Sequence, residues 1–99
     1  PMITSREIMN VLHSEKERLN SLGVKSIGLF GSYLRGEADE NSDIDILIDL
    51  SDDSNMTLFS LIELEQSLSF KFNKKVDLVI RRDLKRAIGE KILSEVVYV

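Results

Sequence analysis

Residues 31–50 read GSYLRGEADENSDIDILIDL. From Asp43 to Leu50 the segment alternates acidic or apolar residues with isoleucine and leucine, a period of two that predicts a β-strand. Asp43 and Asp45 stand two apart in it, so both carboxylates leave the same face. Gly31-Ser32 precedes Asp43 by ten intervening residues. Directly before Gly31 lies Val24 to Phe30 (VKSIGLF), short, apolar and rich in strand formers. The segment therefore predicts a strand, a glycine-serine turn, a polar loop or short helical turn to Ser42, and a second strand.

The flanks extend this pattern. Thr4-Ser5-Arg6-Glu7 fits a capping box, and Ile3 and Ile8 are spaced for a hydrophobic staple. Ile8, Val11, Leu12, Leu19 and Leu22 recur at helical spacing, which predicts one helix over 5–22 closed by Gly23. Ser51 to Asn55 is a turn cluster. Leu58, Phe59, Leu61, Ile62, Leu68 and Phe72 predict a helix with one broad apolar face. Leu68, Phe70 and Phe72 supply more apolar faces than one stripe needs, so part of them is expected to face a partner. Val76 to Arg81 (VDLVIR) predicts a third strand. Asp83 is placed to cap a last helix with Leu84, Ala87, Ile88, Ile92 and Leu93 inward, and Val96 to Val99 (VVYV) reads equally as strand or as helix end. The order is α-β-(turn)-β-α-β-α. That is an α+β (α/β-like) fold, a mixed three- to four-stranded sheet with helices packed on it.

Composition bounds the function. The 99 residues, 42% apolar and 30% charged, are expected to form one small domain over 1–99, and Pro1 ahead of Met2 is expected to be a production remnant. Without cysteine there is no disulfide, thiolate metal site or cysteine nucleophile. No apolar run approaches the roughly 20 residues needed to cross a bilayer. A soluble, cytoplasmic protein without membrane contact is expected.

Charge is unevenly placed. Residues 1–36 carry five basic and three acidic side chains, residues 37–70 ten acidic and none basic, and residues 71–99 eight basic and four acidic. A net charge of −4 argues against direct nucleic-acid binding, which needs a basic face. The acidic middle is either a solvated loop or a divalent-cation site beside a basic wall from the last third. Within that third, Arg81, Arg82, Lys85 and Arg86 could steer a triphosphate, meet an acidic partner or simply be solvated. His13, one past Leu12, is expected at the surface, and Tyr33 either stacks on a base or shields the loop.

Asp77 opens the third strand, which is otherwise apolar until Arg81. Alone, any of Asp43, Asp45 and Asp77 reads as a strand-end residue. Together, in strands where a lone carboxylate is costly to bury, they suit a hard-oxygen cage for Mg²⁺. Such a cage can hold two ions that clamp a phosphoryl group. The glycine allows close backbone approach to a phosphate, with the serine hydroxyl assisting. Four fixed residues at this spacing arise by chance in roughly one 100-residue chain per thousand.

With these residues in place, GSYLRGEADENSDIDILIDL resembles the signature of the DNA polymerase beta-type nucleotidyltransferase superfamily, Gly-Ser followed ten residues later by Asp-x-Asp. The short length and the Gly31–Gly36 form resemble the minimal nucleotidyltransferases (MNT) paired with HEPN-domain proteins, and the likeness covers almost the whole chain. The resemblance implies that Gly31 and Ser32 hold nucleotide phosphates and that Arg35 lies near them. It implies that Asp43 and Asp45 bind Mg²⁺, with Asp77 a third ligand or the general base. It further implies a toxin–antitoxin pair, in which AMP passes from ATP to a tyrosine of a HEPN ribonuclease toxin. Two other functions stay open at this point: an antitoxin that acts by complex formation alone, and a small-molecule nucleotidyltransferase, disfavoured because no acceptor domain follows Val99.

Overall fold

The computed structural model describes residues 2–99, and Pro1, with the origin expected for it, lies outside them. Helices α1 (Ser5–Ser14) and α2 (Lys16–Ser21) lead into β1 (Val24–Phe30), and a five-residue helix, α3 (Gly31–Arg35), follows at once. Then come β2 (Ile44–Leu50), α4 (Leu58–Phe72), β3 (Val76–Ile80), a 3-10 turn (Arg81–Asp83), α5 (Arg86–Glu95) and β4 (Val97–Tyr98). The sheet order is β3-β2-β1-β4. β1 runs antiparallel to both β2 and β4, whereas β2 and β3 are parallel. A parallel pair needs a long crossover, and α4 supplies it.

β2 carries the core on both faces. Ile44, Ile46 and Ile48 point to the side covered by α1, α2 and α4, where they meet Ile8, Leu12, Leu19, Leu64, Leu68 and Phe72. On the other face Leu47 packs with Phe30 and with Ile92 of α5. Asp45 and Asp49 flank Leu47 on that second face, where α5 leaves the strand ends half-covered. This two-sided burial is the reason an internal strand reads as isoleucine alternating with aspartate.

Most elements stand where the sequence places them, with differences at particular residues. The expected helix over 5–22 breaks at Glu15, whose N–H is shared between Val11 O and Leu12 O. Its buried carboxylate turns to Arg18 at 2.9 Å and to Lys71 of α4 at 3.2 Å, a tertiary ion pair that local periodicity cannot show. β2 begins one residue after Asp43. Lys85, not Asp83, occupies the N-cap of α5, because the 3-10 turn sends Leu84 into extended conformation first. Only Gly89 and Ile92 of α5 are buried, while Ala87, Ile88 and Leu93 are exposed, since this helix covers little beyond Leu47.

On α4 the inward stripe is Leu64, Leu68 and Phe72, with Leu61 half-buried. Leu58 and Phe59 face solvent, contrary to expectation, and Phe70 is 90% exposed. Helical spacing brings Leu58 and Phe59 into the apolar count, but they sit in the first turn and stay 69% and 78% exposed. VVYV resolves as strand: Val97 pairs with Leu29 and Tyr98 with Gly28. A Cβ on Gly28 would stand 2.6 Å from Val96 Cγ2, so the missing side chain is what lets this terminal segment close on β1. His13 is exposed, as expected.

Two substitutions on α4 separate its faces. Leu68→Ala should cost about 3 kcal/mol, and Phe70→Ala two residues on should change stability by less than about 0.5 kcal/mol. Urea denaturation of the two variants checks both.

Candidate active site

The site is built where β1 ends. Phe30 is extended, and Gly31 then turns the chain with φ +78, a conformation L side chains rarely adopt. A Cβ on Gly31 would stand 2.9 Å from Asp45 Cγ and 3.0 Å from Asp45 Cβ. Glycine is thus required twice, for its backbone angle and for contact with the aspartate. Ser32 follows half-buried. Tyr33 lies in the main core and is 5% exposed, so it shields the loop and does not offer a ring for stacking. Arg35 ends α3 at the surface, and Gly36 closes the helix in left-handed conformation.

Register does the rest. Antiparallel pairing sets Asp45 opposite Phe30, and parallel pairing sets Asp45 opposite Asp77. Asp43 lies two residues before Asp45, at the same end of the sheet. The six residues singled out from the sequence, Gly31, Ser32, Arg35, Asp43, Asp45 and Asp77, are therefore gathered at one corner. Asp43 is 3.6 Å from Lys75 Nζ, and Asp77 is exposed.

Asp45 has its pKa pushed up from an ordinary 3.8 to about 6. Burial is the main cause, the negative charges of Asp77, Asp43 and Glu95 add to it, and Arg35 opposes. Among the described residues no group of three or more histidine or acidic side chains stands ready to hold a metal ion. The donor set itself suits a hard divalent cation: oxygen ligands only, at an accessible corner, with negative charge that local cations do not balance.

The basic wall comes from the last third, as expected, but from Lys74 and Lys75 and not from the Arg81–Arg86 cluster. Arg81, Arg82, Lys85 and Arg86 lie beyond the far end of β3 from Asp77, where Arg81 pairs with Asp49 at 3.5 Å and Arg86 with Glu90. They are not placed to steer a triphosphate to this corner. Lys75 and Lys74 border it: Lys75 faces Asp43, and Lys74 donates to the Glu40 carbonyl. The one signal for Lys75 was its place two residues before Asp77. Glu95 was missed altogether. It accepts a hydrogen bond from Gly31 N–H at 2.9 Å and bonds from Arg35 Nη1 at 3.0 and 3.1 Å. Nothing in its local sequence shows this, because 64 residues separate it from Gly31.

A separate cavity of 350 Å³ opens at the other end of β2, lined by Asn20, Leu22, Ser51, Ser54 and Met56 among others. It includes none of the clustered carboxylates.

The chain is similar to known proteins along most of its length. The nucleotidyltransferase domain family matches residues 11–99. Protein adenylyltransferase MntA of Thermococcus cleftensis is 46% identical over 99 residues, spanning 99% of this chain and 98% of that protein. A Methanocaldococcus jannaschii protein provisionally named a protein adenylyltransferase is 42% identical over 95 residues, 95% of each chain. Among solved structures, a candidate minimal nucleotidyltransferase superposes with a TM-score of 0.69 at 31% identity, covering 90% of this chain and 93% of that one. A crystal structure of a toxin–antitoxin with AMP-PNP gives the same TM-score at 27% identity, covering 83% of this chain and 66% of that one.

The raised Asp45 pKa has a thermodynamic consequence. A carboxyl whose folded pKa exceeds its unfolded value stabilises the fold only while protonated, so that contribution is lost as pH rises through about 6. Without divalent cations, Asp45→Asn should raise the melting temperature at pH 8 by about 4 °C, allowing for partial solvent screening. At pH 4 the variant and the parent should melt together. Thermal unfolding followed by circular dichroism at the two pH values measures this.

Proposed function

This chain belongs to the nucleotidyltransferase domain family, and on that premise we propose that it transfers AMP from ATP to a tyrosine of a partner HEPN ribonuclease toxin, acting as its antitoxin. The observation that carries the proposal is the seating of Gly31 directly against Asp45, with Asp77 in register beside it. Support for AMP as the group transferred comes from the adenylyltransferase that is 46% identical across nearly the full length of both chains. Support for a nucleotide and a protein partner comes from the related toxin–antitoxin structure containing AMP-PNP.

In this proposal the triphosphate lies along the Gly31-Ser32 turn. The Ser32 hydroxyl donates to a phosphate oxygen, and Arg35 brings a fixed positive charge near the phosphates. Asp43 and Asp45 would hold Mg²⁺, two ions in all, with Asp77 contributing from the neighbouring strand. When bound, those ions neutralise charge on the phosphate oxygens and favour in-line geometry. The tyrosine oxygen bonds to the α-phosphorus as the bond from that phosphorus to the α–β bridging oxygen breaks. Pyrophosphate leaves with the electron pair, and the Asp77 carboxylate, the one facing solvent, accepts the phenolic proton. The toxin supplies the acceptor surface. No helix among the described residues is long and apolar enough to cross a membrane, and the proposed setting is the cytoplasm, where ATP and the toxin meet.

ATP labelled on the α- or the γ-phosphate distinguishes the chemistries. With chain, Mg²⁺ and toxin together, the toxin should take up α-label only. The double variant Asp43→Asn with Asp45→Asn should keep its circular dichroism spectrum and lose more than about 100-fold of the transfer rate. No α-label in the presence of a tight complex would leave an antitoxin that acts by binding alone.

A further inference from the structure

Glu95 sits in the site with no part in the chemistry above. The chain leaves α5 at Glu95, and Val96 turns it into β4, which the bare backbone of Gly28 admits against β1. Because β4 pairs with the last half of β1, Glu95 is carried to the point where β1 ends at Gly31. Its carboxylate is mostly buried, with 22% of the side chain exposed. One oxygen accepts from Gly31 N–H, and both accept from Arg35 Nη1. The Gly31 N–H bond, outweighing the opposing effect of burial, and then Arg35 hold its pKa below the usual glutamate range, so it is ionised at neutral pH.

Two effects compete here. A carboxylate on the Gly31 amide and Arg35 occupies donors that a phosphate could use, which would weaken nucleotide binding. Against this, Glu95 takes Arg35 by Nη1 while Glu37 takes its Nε at 2.9 Å, leaving Nη2 with no bond to the described residues. The guanidinium is thereby held with Nη2 free, and the rotamer freedom of its long side chain is already lost before ligand arrives. Released from Glu95, Arg35 would regain that freedom and no longer stand ready for the phosphates. The second effect outweighs the first, because Glu95 occupies one amide and one nitrogen of Arg35 yet leaves Nη2 free and already oriented for the phosphates.

We propose that Glu95 is a positioning residue of the transfer site, holding Arg35 and the Gly31 turn ready for the triphosphate. The inference rests on the adenylyl-transfer reading given above.

The test measures kcat and KM for ATP by α-label transfer, and the dissociation constant of AMP-PNP, for the full chain with its toxin. Glu95→Ala should raise KM about tenfold while kcat changes less than about threefold, the size expected for one charge-assisted hydrogen bond. Glu95→Gln keeps an acceptor for Gly31 N–H and should fall between the two. In an Arg35→Ala background, Glu95→Ala should add no more than about threefold, the share that passes through the Gly31 N–H. If Glu95→Ala does not fold, Glu95→Gln alone decides, with a KM rise of about threefold expected. An unchanged or lowered KM, or a full tenfold effect retained without Arg35, overturns the positioning role. A parent chain that neither transfers α-label nor binds AMP-PNP overturns the transfer reading and this inference with it.

Discussion

Gly31 lies against Asp45, and the site follows from that contact. The antiparallel register of β1 and β2 brings the end of one strand to the beginning of the other, and only a residue without Cβ fits between the turn and the carboxylate. The same register carries Asp77 alongside through the parallel β2–β3 pair. A slip of one residue in either pairing would move every isoleucine of β2 to the wrong face, so the hydrophobic core that specifies the sheet also specifies the carboxylates.

This arrangement costs stability in one place and recovers it in others. Asp45 shares a face with Leu47 on a strand buried at its centre, next to other negative groups, and its raised pKa measures that cost. Ile44, Ile46 and Ile48, all fully buried, hold the strand in place from the opposite face. Stability drawn from one face and charge strain concentrated on the other is a common division in sites that await a charged ligand. Lys75 and Arg35 relieve part of the strain without closing the corner.

The last ten residues matter more than their place at the end of the chain suggests. α5 covers Leu47 through Ile92, β4 completes the sheet, and the junction between them delivers Glu95 to Gly31. The fourth strand is thus tied to the phosphate turn by both backbone pairing and an ion pair. Phe59, Ile62 and Phe70 meanwhile leave an apolar stripe open on α4, while Leu68 and Phe72, which the sequence grouped with Phe70, belong to the core.

Local pattern alone determined a great deal. Period-two alternation over Asp43–Leu50, the apolar run before Gly31 and the Thr4–Glu7 capping box placed the strands and the first helix, because such signals depend on neighbours in the chain. Gly31, Ser32, Arg35, Asp43, Asp45 and Asp77 were legible as candidates for the same reason: two strands and a turn set their spacing. Tertiary structure alone decided the break at Glu15, the burial of Tyr33, the outward turn of Leu58, Phe59 and Ile88, the strand identity of VVYV, and the lysines that border the acids. Each depends on what packs across from it, and the Glu95–Gly31 bond, 64 residues apart, depends on a sheet register that no local period encodes.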